Sequence, residues 1–201
     1  MVTLRSLAVY CSASVCVDEH FKDMARKMGH LIAQEGIRLV YGGAHIGMMG
    51  AVSDGVIEAN GTVFGVTTKH LGKHEGLHES IQYLHVADDM HERKMLMFEE
   101  ADAFVILPGG FGTLDEFFEI ITWKQIGLHA KPIIIVNHEG FWDPLKSLFQ
   151  SLGDKHFISK KDGNLCHFVT SVEQVIPTIR SLPVTKIDPT EKWGKAWCDF
   201  T

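Results

Sequence analysis

The sequence has little of what marks several large protein classes. Its 201 residues include only four cysteines, Cys11, Cys16, Cys166 and Cys198, with no CxxC pair among them. That spacing argues against a zinc ribbon or a dithiol redox motif and fits reduced, inert thiols. No apolar run approaches the roughly 20 residues that a membrane-spanning helix needs. The opening MVTLRSLAVYCS has one early arginine and a short apolar run that ends at a turn. Neither a membrane nor a secretory leader is expected, and the cytosol is the expected compartment. The formal net charge is −6 and no block of lysine and arginine occurs. Nucleic acid is therefore not an expected partner, and any anionic ligand must be held by local geometry. Internal repeats and low-complexity linkers are also missing.

What is present is a hydrophobic content of 45%, enough for one full core and one domain, expected over residues 1–182 with a loosely attached tail over 183–201. Short apolar runs alternate with amphipathic ones. SLAVYCS, IRLVY, TVFGVTT, IQYLHVA, AFVILP and PIIIVN read as six strands. Between them, helical spacing runs from Asp18 to Glu35, from about Ala51 to Ala59, through DDMHERKMLMFEEA and through LDEFFEIITWKQIGL. FWDPLKSLFQSL and SVEQVIPTIRSL carry two further helical signals among polar loops, and a His- and Gly-rich connection precedes strand four. This alternation predicts an α/β fold with a mostly parallel sheet covered on both faces by helices. Ligands in such folds sit beyond the carboxyl ends of the strands. Three turns fall at that edge: CSASV, GGAHIGMMG and PGGFGT. They are expected to converge on one pocket.

Glycine lets a backbone approach a ligand, and the helix that follows presents unpaired N–H groups. Two such loops in one sheet favour a phosphate, although tight strand-to-helix turns explain the same glycines without one. Neither loop is a P-loop, because no Gly-Lys-Ser/Thr follows. The GxGxxG order is missing too, and no acidic residue ends TVFGVTT to hold a ribose, so a mononucleotide or sugar phosphate is favoured over a dinucleotide. The candidate phosphate ligands are Ser12, Ser14, Gly42, Gly43 and Gly47.

Thr113 to Glu116 reads T-x-x-E, a capping box in which threonine bonds an N3 amide and glutamate reaches back to the cap. That accounts for Glu116 structurally and leaves a catalytic role equally open. Asp89 to Glu92 offers a second helix start, with Arg93 and Lys94 in the first turn, where cations oppose the helix dipole. Solvated surface charge is the simpler expectation for both, with an anionic partner as the alternative. HEGLH, His74 to His78, matches the HExxH zinc pattern, which requires both histidines on one face of a stable helix. Gly72 and Gly76 interrupt that stretch, so a loop is expected there rather than a metal site. Met48, Met49, Met90, Met95 and Met97 are expected mostly as core filling, with some able to pack on a flat base. GxSxG is absent, and no motif for a pyridoxal phosphate lysine is found.

GGAHIGMMGAVSDGVIEANGTVFGV, MHERKMLM and PGGFGTLDEFFEIITWKQIGLHAKPI together resemble the LONELY GUY (LOG) family of cytokinin riboside 5′-monophosphate phosphoribohydrolases, often mislabelled as lysine decarboxylases. The resemblance covers Leu7 to Val136 and continues to about Ile179. It implies a Rossmann-like fold, usually a homodimer. It also implies hydrolysis of a purine nucleoside 5′-monophosphate to free base and ribose 5-phosphate, with no metal or cofactor. By the same resemblance Arg93 and Glu116 are catalytic. Glu75, Lys94, Gly110, Phe111, Gly112, Thr113, Leu114, Asp115 and Thr122 then fall on substrate-binding positions. Asp115 stands where the family commonly has glutamate, and CSASV lacks the glycine of the family's first loop. The rival reading is a protein of the same fold that binds a nucleotide or molybdenum cofactor without turnover.

Overall fold

All five residues of SLAVY are buried, because β1 (Ser6–Tyr10) lies inside a sheet covered on both faces. Its odd positions, Leu7 and Val9, enter one apolar cluster, and Ala8 and Tyr10 enter the other. That is the period-two alternation of a strand seen from both sides. The computed structural model describes residues 3–183 apart from 77 and 79. Past its first residue, the C-terminal tail expected over 183–201 lies outside the described residues, as does Cys198.

Around β1 the chain builds β2 (Arg38–Tyr41), β3 (Val63–Thr68), β4 (Tyr83–Ala87), β5 (Ala103–Ile106), β6 (Ile133–Val136) and β7 (His167–Val169). The order is β4-β3-β2-β1-β5-β6-β7, and every pairing is parallel. The helices are α1 (Glu19–Gln34), α2 (Gly47–Glu58), α3 (Lys69–Glu75), α4 (Met90–Glu99), α5 (Phe111–Gln125), α6 (Asp143–Asp154) and α7 (Val175–Ser181). This is a Rossmann-like α/β fold. The sequence pattern misses two of these elements. β7 is only three residues long and too short to show periodicity, and α3 buries none of its described residues, so it has no apolar stripe to read. No helix of the described residues is long and apolar enough to cross a membrane.

The packing of α1 on α2 depends on two glycines. A Cβ at Gly29 would collide with the backbone of Val52 and Val56, and one at Gly55 would collide with the backbone of Arg26. The two helices thus meet backbone to backbone, which fixes α2 and the loop that leads into it against β2.

Candidate active site

The strand order reverses between β1 and β5, and at their carboxyl ends opens a cleft of about 270 Å³. The three polar turns do converge there, and they are joined by backbone hydrogen bonds. Ser12 N donates to Pro108 O at 3.2 Å, while Met48 N and Met49 N donate to Ser12 O at 3.0 and 3.3 Å. The last two bonds have a chemical consequence. They occupy the first amides of α2, so the GGAHIG loop does not present a vacant helix N-terminus to an anion.

The expected phosphate ligands therefore separate. Ser12 and Gly42 line the cleft. Gly43 (φ +79°) instead packs against Thr67 and Leu84, and Gly47 (φ +58°) packs against the Ala13 and Ser14 backbone. Ser14 closes a local turn, its amide donating to Ser12 Oγ at 3.1 Å and its own Oγ accepting from Cys16 N at 3.3 Å. These three positions shape the loops and stay outside the cleft lining. The helix terminus that is available belongs to α5, whose cap residue Gly110 carries no side-chain cap. A Cβ at Gly110 or Gly112 would meet nothing within 4 Å, so both backbones face open space.

Helix α5 begins at Phe111, three residues before the start read from the sequence, because Gly110 already takes the extended conformation of a cap. The Thr113–Glu116 capping box is therefore not formed, since both residues lie inside the helix. Thr113 is buried with its side chain against Gly109. Glu116 is released for another partner. Asp89, by contrast, does cap α4, accepting from His91 N at 2.8 Å and Glu92 N at 2.9 Å. Glu92 Oε2 reaches back one residue further than in the standard box, to Asp88 N at 2.6 Å.

That cap places Arg93 in the first turn of α4 pointing inward. The expectation of a solvated surface arginine is overturned: Arg93 is 4% exposed. Its Nη1 donates to Glu116 Oε1 at 2.9 Å, and its Nε donates to Val66 O at 3.0 Å. Burial raises the Glu116 carboxyl above its ordinary value, and the Arg93 charge partly offsets that rise. The buried Tyr10 hydroxyl and Cys11 thiol beside it are also pushed up, by desolvation first and by the Glu116 charge second, so both keep their protons. Cys11 is thus no nucleophile. Next to this pair, Lys94 Nζ lies 3.2 Å from Asp115 and 3.1 Å from Glu119, tying α4 to α5.

Glu75 ends α3 and lines the cleft, and among the described residues its buried Oε2 has no hydrogen-bond partner. Leu71, Met49 and Met90 supply apolar lining. The sequence allows that some of its methionines pack on a flat base without saying which; Met48 and Met97 are core, and Met95 is exposed. Tyr10 and Cys11 are cleft residues that motif reading misses, because a buried strand end carries no local signature.

Of the expected substrate-binding positions, Glu75, Gly110, Gly112, Thr113 and Asp115 are brought to the cleft. Lys94 stands behind Asp115, Leu114 packs into the core, and Phe111 is 93% exposed. Thr122 is not brought there within one chain. It is exposed on α5, its hydroxyl donates to Phe118 O at 2.6 Å, and it lines a neighbouring groove. HEGLH does not form one helical face, because α3 stops at Glu75 and Gly76 turns the chain at φ +71°.

Known proteins resemble this chain in sequence and in fold. The family model described as "Possible lysine decarboxylase" matches residues 49–179. A cytokinin riboside 5′-monophosphate phosphoribohydrolase of Rhodococcoides fascians is 38% identical over 180 residues, covering 89% of this chain and 91% of that one. The rice (Oryza sativa subsp. japonica) enzyme of that name, LOG, is 35% identical over 195 residues, 97% of this chain and 78% of the relative. Among solved structures, a molybdenum cofactor binding protein from Rippkaea orientalis superposes with a TM-score of 0.69 at 22% identity, covering 90% of this chain and 98% of that one. The molybdenum cofactor carrier protein of Chlamydomonas reinhardtii gives 0.67 at 20% identity, covering 88% and 96%. At that identity the structural matches show the fold alone. The family match over most of the chain, and the relatives above 30% identity, show that this protein belongs to the LONELY GUY (lysine decarboxylase-like) family.

Proposed function

We propose that this chain hydrolyses the N-glycosidic bond of purine nucleoside 5′-monophosphates, cytokinin riboside or adenosine, giving free base and ribose 5-phosphate. The observation that carries this reading is the buried Arg93–Glu116 pair at 2.9 Å in the cleft, beside the open N-terminus of α5. As the C1′–N9 bond breaks, a carboxylate stabilises the oxocarbenium-like ribose and directs water to C1′; the proton that water gives up balances the one the departing base takes from solvent. Glu116 takes that role. Arg93 cannot donate a proton, since guanidinium does not deprotonate; it holds Glu116 in place and sets its charge. The phosphate sits at the backbone amides around Gly110 and Gly112, where a dianion is favoured by unpaired N–H groups and the helix dipole. Held there, it orients the sugar through remote binding energy. The base lies towards Leu71 and Met90, and Glu75 Oε2 accepts from its exocyclic N–H.

The same reading includes a homodimer. Phe118 on α5 and Leu148 on α6 leave apolar surface exposed, near a groove of about 720 Å³ that Phe118 and Thr122 help line. A substrate contact from Thr122 belongs to an assembly in which a second copy brings this face to a cleft. Light scattering of the purified protein reads its mass directly, and a monomer at all concentrations removes that contact.

The activity test is chromatographic. Wild type and Glu116→Gln are incubated separately with AMP, isopentenyladenosine monophosphate and the unphosphorylated riboside, and released base is quantified. Base from a monophosphate, with little from the riboside and a loss above ~100-fold in the variant, supports the proposal. Stoichiometric nucleotide binding with no released base sinks it in favour of a non-catalytic binding protein.

A further inference from the structure

Away from the cleft, the segment after α3 is held down by a group of side chains that the hydrolytic reading does not use. His78 is 4% exposed. Its Nε2 lies 3.0 Å from Asp54 Oδ1 on α2, and its amide donates to Gly43 O at 3.4 Å. The ring of His45 stands edge-on to that of His78, with centroids 4.5 Å apart and planes at 83°. His45, Asp54 and His78 each offer one ligand atom, and the three atoms lie within 4.8 Å of one another.

His78 Nδ1 is the observation that asks for a ligand. It is buried and, among the described residues, has no hydrogen-bond partner. A buried polar nitrogen left unpaired costs about 1–3 kcal/mol, so an ordinary packed histidine would find a donor or acceptor there. Two imidazoles, one of them backed by a carboxylate, suit zinc and similar borderline divalent cations. Asp54 Oδ1 lies against Nε2, so it serves as the acceptor that fixes the tautomer of His78 and leaves Nδ1 to the cation. Its other oxygen is 3.5 Å from Arg26 Nη2, and Arg26 also pairs with Glu58.

We propose that His45, Asp54 and His78 form a divalent transition-metal site, for zinc in the first instance, that fastens the α3–β4 connection to α2. Its function is structural. Glu75 lies three residues before His78 and lines the cleft, so the metal fixes the backbone that carries it. The HExxH pattern thus contributes one histidine to a different ligand set, with partners from α2 and the loop before it.

The test is isothermal titration of the untagged protein with Zn²⁺, alongside His45→Ala, Asp54→Asn, His74→Ala and His20→Ala. His45 is exposed, so its removal leaves the fold intact. One equivalent per chain is expected, weakened about tenfold or more in His45→Ala and Asp54→Asn and unchanged in His74→Ala. His20→Ala is the control for a surface group made of His20, His138 and Glu139, and it too leaves the binding unchanged. Zn²⁺ also raises the Tm of wild type but not of His45→Ala. The site is overturned by a wild type with no saturable binding, by binding that survives both His45→Ala and Asp54→Asn, or by binding lost with His74→Ala or His20→Ala. None of these readouts depends on catalytic activity.

Discussion

Gly42 is a glycine because of Arg93. A Cβ at Gly42 would collide with Arg93 Nη2 and lie 2.8 Å from Met49 Sδ. Arg93 has nowhere to retreat, being buried and held at once by Val66 O and Glu116. A loop residue after β2 therefore sets the position of a charge that arrives from α4.

Gly42→Ala is expected to lower kcat/KM by about 100-fold, the cost of a displacement near 1 Å at a reacting centre. Steady-state base release from AMP, set beside the melting curve, measures it. Full activity in a folded variant would show that the contact is slack.

The acid limb of the pH profile is expected above the ordinary carboxylate value of 4.5, because burial raises Glu116. The ionised form is the active one, so activity is lost as pH falls through the raised pKa. Arg93 lowers that pKa, and Arg93→Gln moves the limb further up while reducing the rate. A limb at or below 4.5 in wild type contradicts the role given to Glu116.

Arg93→Ala leaves the Glu116 carboxylate buried without its counter-charge. Removing one member of a buried pair costs about 3–5 kcal/mol, and chemical denaturation at neutral pH reads it. A loss under about 1 kcal/mol would mark the pair as solvated.

Glu75→Leu is expected to raise KM for nucleotide about tenfold or more while leaving stability unchanged or improved. Without a partner among the described residues, the buried Oε2 is unfavourable by about 1–3 kcal/mol until a ligand donor meets it. A variant that melts earlier with unchanged KM places Glu75 in the scaffold.

Gly29→Ala is expected to destabilise by about 1–3 kcal/mol or more, the cost of overpacking, since its methyl would enter the Val52 and Val56 backbone. A fall in Tm with kcat/KM preserved at low temperature is the expected pair of observations.

The local sequence determined most of the architecture. Alternating buried strands and helices are written in period-two and 3.6-residue patterns, so six of the seven strands among the described residues and the parallel sheet were legible, as were the three turns at its carboxyl edge. The MHERK and PGGFGTLDE motifs carried the family resemblance, and it was that resemblance that singled out Arg93 and Glu116. What lies in contact across the sheet was not legible. A T-x-x-E pattern describes a cap in one dimension, but Gly110 starts α5 early and leaves Glu116 facing Arg93, 23 residues away. Likewise HExxH is a pattern along one helix, whereas Gly76 ends α3 and sends His78 to Asp54. Local propensity and periodicity act over a few residues, and the sequence carries them directly. Burial, collision at Gly42 and the pairing of charges depend on distances between segments far apart in the chain, which only the packed tertiary structure decides.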